Sequence, residues 1–396
     1  MKLLVLLSRF PFPLDKGDKL RAFHQLRYLA QHHEICLLAL TDEPVPEASY
    51  AAVRPLCRGG LHVHALGKPG IAANMARALA TGLPFQVGYF YDAAAQRRLD
   101  ALLREFRPQH VYCQLIRMAE YLRPHAGTYA MTLDYMDVFS AGMQRRARQA
   151  PAWQRPVISL EARRLLRYEA AVFGWFQHHT IISDQDRQLI NHPERQRIHV
   201  VLNGIDTDFF QPTDTAKEYD LVFCGNMSYH PNVDAAEFLA TEILPLVHHT
   251  HPRARLLIAG TTPAARVLAL ASPAVVISGW LPDIRDAYAS ARVFVAPMRV
   301  GTGLQNKLLE AMAMRLPCVT TPLANNALRG VPGEDLLVGQ TVAELAAHIT
   351  QLLTETEPAA ALAARGLAFV RRHYNWAAAT SRLEALFASH KGSDNG

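Results

Sequence analysis

Residues 297–313 read Pro297-Met-Arg-Val-Gly-Thr-Gly-Leu-Gln-Asn-Lys-Leu-Leu-Glu-Ala-Met-Ala313, a pattern typical of a strand end, a glycine loop and a helix start in direct succession. Gly301 and Gly303 let the backbone approach a ligand closely. The unpaired N–H groups of a helix that begins near Leu304 add the positive end of the helix dipole. The segment therefore predicts an anion-binding site.

The same segment aligns polar side chains on one helix face. Gly303, Asn306, Lys307 and Glu310 are spaced at i, i+3, i+4 and i+7, so they share that face. An amine suited to phosphate then lies beside a carboxylate suited to hydroxyl groups. The alternative is that Lys307 and Glu310 form an ordinary surface ion pair.

The flanking segments 292–297 and 317–321 are short apolar runs, as in buried parallel strands. Similar runs alternate with helical patterns, and the alternation restarts after residue 204, so the chain is predicted to be α/β with two Rossmann-like domains. Its 396 residues suffice for two cores. The predicted strands are 2–7, 35–40, 61–65, 109–114, 220–224, 254–259, 275–278, 292–296 and 317–320. The predicted helices are 18–32, 93–106, 159–176, 232–249, 284–290, 304–314 and 342–354.

The apolar runs and the cysteine pattern exclude several classes of protein. The apolar run Met1–Leu7 is too short for a signal peptide, and no run approaches the roughly 20 apolar residues of a membrane span. The five cysteines are widely spaced, which indicates reduced core thiols in a cytoplasm. The pair Asp206 and Asp208 is explained by local capping, and no other spacing predicts a metal site.

Charge is divided unevenly along the chain. Residues 1–185 carry 23 of the 41 Lys+Arg and 15 of the 35 Asp+Glu, which leaves 18 and 20 for residues 186–396. The basic stretches 145–148 and 161–168, with nearby Phe173, Trp175 and Phe176, are suited to an anionic membrane surface. A solvated helix face explains the same residues. Nucleic-acid binding is a poorer account, because no recognised motif accompanies the charge.

Several segments of the chain resemble a known enzyme family. Residues 301–314, Gly-Thr-Gly-Leu-Gln-Asn-Lys-Leu-Leu-Glu-Ala-Met-Ala-Met, resemble the nucleotide-sugar signature of family 4 retaining glycosyltransferases. They resemble more closely a bacterial subgroup found with exopolysaccharide export systems. Four further segments are similar to that subgroup, in the same order: 8–19, 134–137, 203–206 and 225–234.

The resemblance implies a GT-B fold, in which two Rossmann-like domains face a central cleft. Residues 1–200 correspond to the acceptor-side domain, 201–373 to the nucleotide-sugar domain, and 374–390 to a helix that packs back on the first. The implied reaction moves a sugar from a UDP- or GDP-linked donor to the hydroxyl of a sugar or lipid-linked acceptor, in exopolysaccharide or other surface glycan synthesis. It implies a cytoplasmic enzyme, peripheral at the inner membrane face, that requires no metal or other cofactor.

The resemblance also assigns site residues. Lys307 is a predicted catalytic residue that neutralises diphosphate charge, and Glu310 holds the ribose. The remaining predicted donor contacts are Gly17, Gly225, Asn226, Ser228, Arg299, Gly301, Thr302, Gly303, Leu304, Gln305 and Asn306. Trp280 and Leu281 lie in the predicted base-binding turn. Lys19 and Arg21 are predicted acceptor or phosphate contacts, and His230 is either a ligand contact or a turn residue.

Asp134 and Asp137 follow the apolar run 129–133. Where the wider family has a cleft histidine this chain has Asp134, and Asp137 matches a common acidic position. Both are predicted catalytic residues, because a carboxylate there stabilises positive charge at the anomeric carbon. The alternative is ordinary helix capping.

A further departure from the wider family concerns the donor sugar, since Thr302 replaces the first of two glutamates spaced eight residues apart. Two other functions stay open, and the departure at Thr302 raises the second of them. One is a nucleotide-sugar epimerase on the same fold, and the other is a nucleotide- or sugar-binding protein without turnover.

Overall fold

The computed structural model describes residues 1–213, 215–300 and 304–388, without the side chain of Gln149. The chain divides into two compact units. The N-terminal unit comprises Met1–Asn203 and the segment from Trp376 onward, and the C-terminal unit comprises Gly204–Asn375. The sequence had placed these boundaries after residues 200 and 373.

The N-terminal unit is built on a parallel sheet. Its strands are β1 (Lys2–Leu7), β2 (Glu34–Thr41), β3 (Gly60–Ala65), β4 (His110–Gln114), β5 (Met131–Asp134), β6 (His178–Ile181) and β7 (His199–Val200). Within the described residues they form one seven-stranded sheet of order β3-β2-β1-β4-β5-β6-β7. Leu4 and Leu6 enter one hydrophobic cluster and Leu3, Val5 and Leu7 another, so both faces of the sheet are buried.

Helices connect these strands. They are α1 (Gly17–His32), α2 (Glu47–Val53), α3 (Lys68–Thr81), α4 (Phe85–Phe90), α5 (Ala93–Phe106), α6 (Ala119–Leu122), α7 (Phe139–Gln149), α8 (Arg155–Ala171) and α9 (Asp184–Leu189). The helix predicted at 159–176 starts earlier, at Arg155, because Pro156 is favourable in a first helical turn. Its predicted end is a separate 3-10 turn, Val172–Trp175.

The C-terminal unit has a second parallel sheet. In chain order its elements are β8 (Tyr219–Cys224), α10 (His230–Phe238), α11 (Leu244–His248), β9 (Leu256–Ala259), α12 (Ala265–Leu268), β10 (Val275–Gly279), α13 (Ile284–Ala289), β11 (Ala291–Ala296), α14 (Asn306–Ala313), β12 (Cys318–Thr320), α15 (Pro322–Leu328), β13 (Leu337–Val338), α16 (Val342–Thr354) and α17 (Thr356–His373). The strand order, for the residues that the structure describes, is β10-β9-β8-β11-β12-β13.

One predicted helix of this unit is interrupted. Residues 232–249 were expected to be continuous, but a π-helical turn, Leu239–Ile243, separates α10 from α11. Pro245 explains the interruption, because proline has no N–H to donate and its ring clashes with the carbonyl four residues earlier.

The last described helix, α18 (Trp376–Ala388), belongs to the N-terminal unit. Trp376 is buried and its ring stacks on His24 of α1 at 5.0 Å. Leu383 and Phe387 enter the same hydrophobic cluster as β1. The chain thus leaves the N-terminal unit after Asn203 and returns to it at Trp376.

The predicted α/β fold with two Rossmann-like domains is confirmed. Strand order reverses between β1 and β4 in one sheet and between β8 and β11 in the other. In open parallel sheets, ligands bind at the carboxyl ends of the strands beside such a reversal. Among the described helices, none has the length and apolarity needed to cross a bilayer.

Candidate functional site

Lys307 lies in the first turn of α14, where its side chain is partly buried. Its Nζ donates to Asn232 Oδ1 at 2.5 Å and to Gln305 Oε1 at 3.3 Å. It also lies 5.2 Å from the ring centre of Phe223. Burial lowers the pKa of Lys307 from 10.5 to about 8, although the charge of Glu310 opposes this. Because both oxygen partners are neutral, the positive charge remains available to an anion.

Asn232 connects this lysine to the loop after β8. Its Oδ1 accepts from Lys307, and its Nδ2 donates to the carbonyl of Asn226 at 2.9 Å. A Cβ on Gly225 would come within 2.7 Å of that Nδ2, so a side chain at 225 is incompatible with the bridge. The sequence analysis did not predict a role for Asn232, which is buried. An asparagine in the first turn of a helix that follows a glycine loop is the sequence signal that could have identified it.

The predicted donor contacts Asn226 and Ser228 lie in this same loop, and both are exposed. The Ser228 amide and hydroxyl donate to Asn226 Oδ1 at 2.9 and 2.8 Å, which is an Asx turn. The turn orders the backbone just before α10. His230 is exposed at the first residue of that helix.

Glu310 lies one turn after Lys307 and is partly buried. Tyr288, from α13, donates its hydroxyl proton to Glu310 Oε2 at 2.6 Å. Burial raises the pKa of Glu310, while the Tyr288 hydrogen bond and the Lys307 charge oppose the rise. Lys307 and Glu310 therefore bond to different partners, and among the described residues they do not form the surface ion pair that was the alternative.

Arg299 follows β11 but is directed toward α10. It pairs with Asp234 at 2.9 Å and Glu242 at 3.4 Å, and its guanidinium lies 4.1 Å from the ring centre of Phe238. These contacts occupy the side chain that was predicted to reach phosphate. In this conformation it stabilises the helix beside the site instead.

The turn after β10 carries the predicted base contacts. Trp280 is 67% exposed, which is unusual for so large an apolar ring, and Leu281 is partly exposed. Asp283 ends the turn by accepting the Arg285 amide at 2.9 Å, which caps α13. The turn therefore presents an exposed aromatic face at the carboxyl edge of the sheet.

Three predicted donor contacts, Gly301, Thr302 and Gly303, lie outside the described residues. Leu304, Gln305 and Asn306 are described, and Gln305 precedes the first residue of α14. Gln305 is one of the two oxygen partners of Lys307. Of the predicted anion site, the structure therefore describes the part that residues 304–310 supply.

In the N-terminal unit, Arg21 and Asp134 form a fully buried ion pair, with Arg21 Nε 2.6 Å from Asp134 Oδ2. Tyr112 donates to the same oxygen at 2.7 Å, and Arg21 Nη1 donates to the carbonyl of Val201 and to Asn203 Oδ1. Burial raises the pKa of Asp134, but the Arg21 charge and these hydrogen bonds hold it below its usual value.

Two predicted site residues are thus buried against each other. Arg21 and Asp134 were predicted to contact substrate, but neither has exposed surface in this conformation. A carboxylate after a buried strand has the same sequence pattern whether it faces a ligand or an internal guanidinium. The pair fixes the segment where the chain leaves the unit, so we assign both residues a positioning role.

Asp137 is exposed three residues further on. Met136 has a positive φ of 62°, and the Asp137 amide donates to the carbonyl of Tyr135 at 2.8 Å, so the chain turns sharply here. Although part of the residue is exposed, the protein atoms around its carboxyl group partly desolvate it and raise the pKa of Asp137 to about 6. The negative charge of Asp186 adds to this rise, and the Arg117 charge opposes it. Asp137 is therefore the better candidate for a carboxylate that faces substrate.

Arg117 was missed by sequence reasoning. It follows β4, and its guanidinium lies 5.0 Å from the ring centre of Phe90 and 4.6 Å from that of Phe139. Its Nη2 donates to Gln86 at 2.9 Å. Burial lowers the pKa of Arg117 to about 10, and Asp137 opposes this, so the two groups interact electrostatically.

The predicted donor contact Gly17 and the predicted acceptor or phosphate contact Lys19 lie in the first turn of α1. Lys19 pairs with Asp15, which precedes the helix, at 2.9 Å. Gly17 begins the helix and is exposed, and a Cβ there would meet nothing within 4 Å. A ligand could therefore reach this part of α1, but no neighbouring group packs so closely against Gly17 that only glycine would fit there.

Within the described residues, no group of three or more His, Cys, Asp or Glu side chains is arranged to hold a metal ion. The five cysteines are free and buried. Burial raises the pKa of Cys36 and Cys57 to about 12, so these thiols are unreactive at neutral pH.

Residues 218–355 match the family described as "Glycosyl transferases group 1". This segment includes Gly225, Asn232, Tyr288, Lys307 and Glu310. No curated protein matches the sequence at a significant level.

Solved structures show the same fold over nearly the whole chain. Sucrose-phosphate synthase from Thermosynechococcus elongatus is 13% identical with a TM-score of 0.68, and the similarity covers 99% of each chain. HepE from Anabaena, in complex with UDP, is 12% identical with a TM-score of 0.67, over 98% of this chain and 100% of that one. WaaG, a glycosyltransferase of lipopolysaccharide biosynthesis, is 15% identical with a TM-score of 0.63, over 98% and 100%. The two units thus have the folds of a GT-B glycosyltransferase, and together with the matched domain they support glycosyl transfer.

Proposed function

We propose that this chain is a retaining glycosyltransferase of family 4 that moves a hexosyl group from a nucleoside diphosphate sugar to a hydroxyl acceptor. The observation that carries the proposal is the bridge from the Gly225 loop through Asn232 to Lys307. It holds one ammonium group on neutral partners, beside a carboxylate oriented by Tyr288. This arrangement lies inside the segment that matches the glycosyltransferase family.

The chemistry follows from these groups. The bond between the anomeric carbon and the diphosphate oxygen breaks, and its electron pair goes to that oxygen. A bond to the acceptor oxygen forms on the same face, and the acceptor proton moves to the departing phosphate. Lys307 stabilises the developing negative charge. Glu310 accepts hydrogen bonds from ribose hydroxyls, and the exposed ring of Trp280 stacks on the base.

Two further observations support the assignment of the substrates. HepE has been solved in complex with UDP and with UDP-glucose, which favours a UDP-linked donor here. Asp137 follows β5 and Arg117 follows β4, and the two charges influence each other's pKa, which favours an acceptor-side role for that unit. We place the reaction in exopolysaccharide or other surface glycan synthesis, in the cytoplasm at the inner membrane face, without a metal.

The test is donor turnover. We expect the full chain to release a nucleoside diphosphate from one member of a UDP- and GDP-sugar panel, faster when a lipid-linked or soluble sugar acceptor is present. NMR of the product should show the anomeric configuration of the donor. Lys307→Met should reduce the rate by roughly 10²-fold. Lys68→Met, which removes an exposed lysine from α3, is the matched control.

The same assay separates the two alternatives. A nucleotide-sugar epimerase would convert the donor without any acceptor and without net release of nucleoside diphosphate. A non-catalytic binding protein would bind the nucleotide, with Lys307→Met weakening that binding, but would leave every donor intact. Inversion at the anomeric carbon would overturn the retaining mechanism alone.

A further inference from the structure

The hairpin formed by α7 and α8 has an unusual tip. Trp153 lies in the connection between the two helices and is 78% exposed, and Val157 in the first turn of α8 is 60% exposed. Large apolar side chains are rarely left so open without a partner. In contrast, Phe173 and Phe176, which the sequence suggested as membrane contacts, are buried in the core and do not reach the surface.

Arginines surround these two side chains. Arg146 and Arg148 end α7 and Arg155 begins α8, and all three are exposed. Arg155 Nε also donates to the carbonyl of Ala150 at 2.8 Å, which closes the connection. Among the described residues, none of these three guanidinium groups has a carboxylate within ion-pair distance. Their charge is therefore not neutralised locally.

The acidic residues of the hairpin are turned inward. Its two carboxylates are Glu161 and Glu169, which are only 3% and 1% exposed. Glu161 accepts the backbone amides of Phe85 and Gln86, and Glu169 accepts the amide of Ser140. The exposed surface of the hairpin is consequently basic without a compensating negative group among its described side chains.

An anionic lipid bilayer fits this chemistry. Indole rings favour the zone between headgroups and acyl chains, and arginines bind lipid phosphates while their stems cover apolar surface. We propose that the α7–α8 tip docks on an anionic membrane surface, with Trp153 and Val157 at headgroup depth and Arg146, Arg148 and Arg155 on lipid phosphates. The proposal uses no residue of the donor site, so it stands or falls separately from the proposed transferase activity.

Co-sedimentation of the full chain with vesicles tests the proposal. We expect binding to vesicles of equal phosphatidylcholine and phosphatidylglycerol, loss of binding at high salt, and little binding to phosphatidylcholine alone. Each arginine changed to glutamine should weaken binding about fivefold at low salt. The triple variant Arg146→Gln, Arg148→Gln, Arg155→Gln should therefore lose about 10²-fold.

A charge-matched control is available on the same unit. Arg58, Arg97 and Arg104 are exposed elsewhere, and changing them together to glutamine should leave vesicle binding nearly intact. Trp153→Ser should weaken binding without changing the circular dichroism spectrum, and quenching of tryptophan fluorescence by brominated lipid should disappear in Trp153→Phe. Equal binding to both vesicle types, equal effects of the two triple variants, or preference for RNA over vesicles would overturn the proposal.

Discussion

Lys307 should take up a proton when a nucleoside diphosphate binds at pH 8. Its pKa in the free protein is lowered from 10.5 to about 8 by burial. This difference corresponds to about 3 kcal/mol against the ammonium form. A diphosphate beside the amine restores the ordinary preference for the charged form. Since about half of the lysines are neutral when pH equals pKa, binding should take up about half a proton per site at pH 8.

Calorimetry measures this uptake directly. Titration in buffers of different ionisation enthalpy, with whichever of UDP, GDP or ADP binds best, gives the number of protons bound. We expect about half a proton at pH 8, about a tenth at pH 7, and none in Lys307→Met. Normal affinity without uptake in the wild type, or equal uptake in Lys307→Met, would show that Lys307 does not face the phosphates.

Asn232→Asp sharpens the test. A carboxylate 2.5 Å from Nζ would stabilise the ammonium and raise the pKa of Lys307, so uptake at pH 8 should fall toward zero. The new negative charge should also weaken diphosphate binding by about tenfold or more. Asn232→Ala leaves the amine without a carboxylate partner, as in the wild type, and should retain the uptake. If Asn232→Asp binds as tightly as the wild type with the same uptake, the bridge is only structural.

Three other outcomes are expected. Glu310→Gln should weaken nucleotide binding about tenfold, and Tyr288→Phe less, as measured by calorimetry at constant pH; equal affinity in all forms would remove the ribose assignment. Asp134→Asn should lower the free energy of unfolding, measured in urea, by roughly 3–5 kcal/mol, because it leaves the charge of the buried Arg21 without a carboxylate partner. A loss of activity without a loss of stability would instead indicate that Asp134 acts directly on the substrate. In the wild type, Asp134 has a depressed pKa, so its stabilising contribution should be present at neutral pH and lost as pH falls through the folded-state pKa. Transfer activity should survive EDTA, and full loss restored by one divalent ion would contradict the metal-free site.

Periodicity predicted the fold well because parallel strands that are buried on both faces are continuous apolar runs. β1 has the predicted bounds for this reason. The helix α16 also has the predicted bounds, because a capping box of Thr341 and Glu344 marks its start. The π-helical turn before Pro245 was harder to predict from the sequence, since a proline is also compatible with the first turn of a regular α-helix.

The proximity of the candidate site residues was predictable where they share one helix. Spacing alone places Lys307 and Glu310 on one face of α14, and the structure adds their partners, Asn232 and Tyr288. Those partners come from residues distant in sequence, so no local pattern identifies them. Asp134 illustrates the opposite case, because its partner Arg21 is supplied by tertiary structure.

The path of the chain between the units has a consequence for synthesis. Ile205 donates its amide proton to the carbonyl of Tyr374 at 2.7 Å, so the outgoing and returning segments lie side by side. The C-terminal unit is therefore an insertion, complete before the ribosome has made Trp376. Until α18 emerges, the N-terminal unit lacks the Trp376, Leu383 and Phe387 side chains that are buried in it. We therefore expect the C-terminal unit to fold first during translation. Until α18 has been made, the N-terminal unit should keep one hydrophobic face exposed to chaperones.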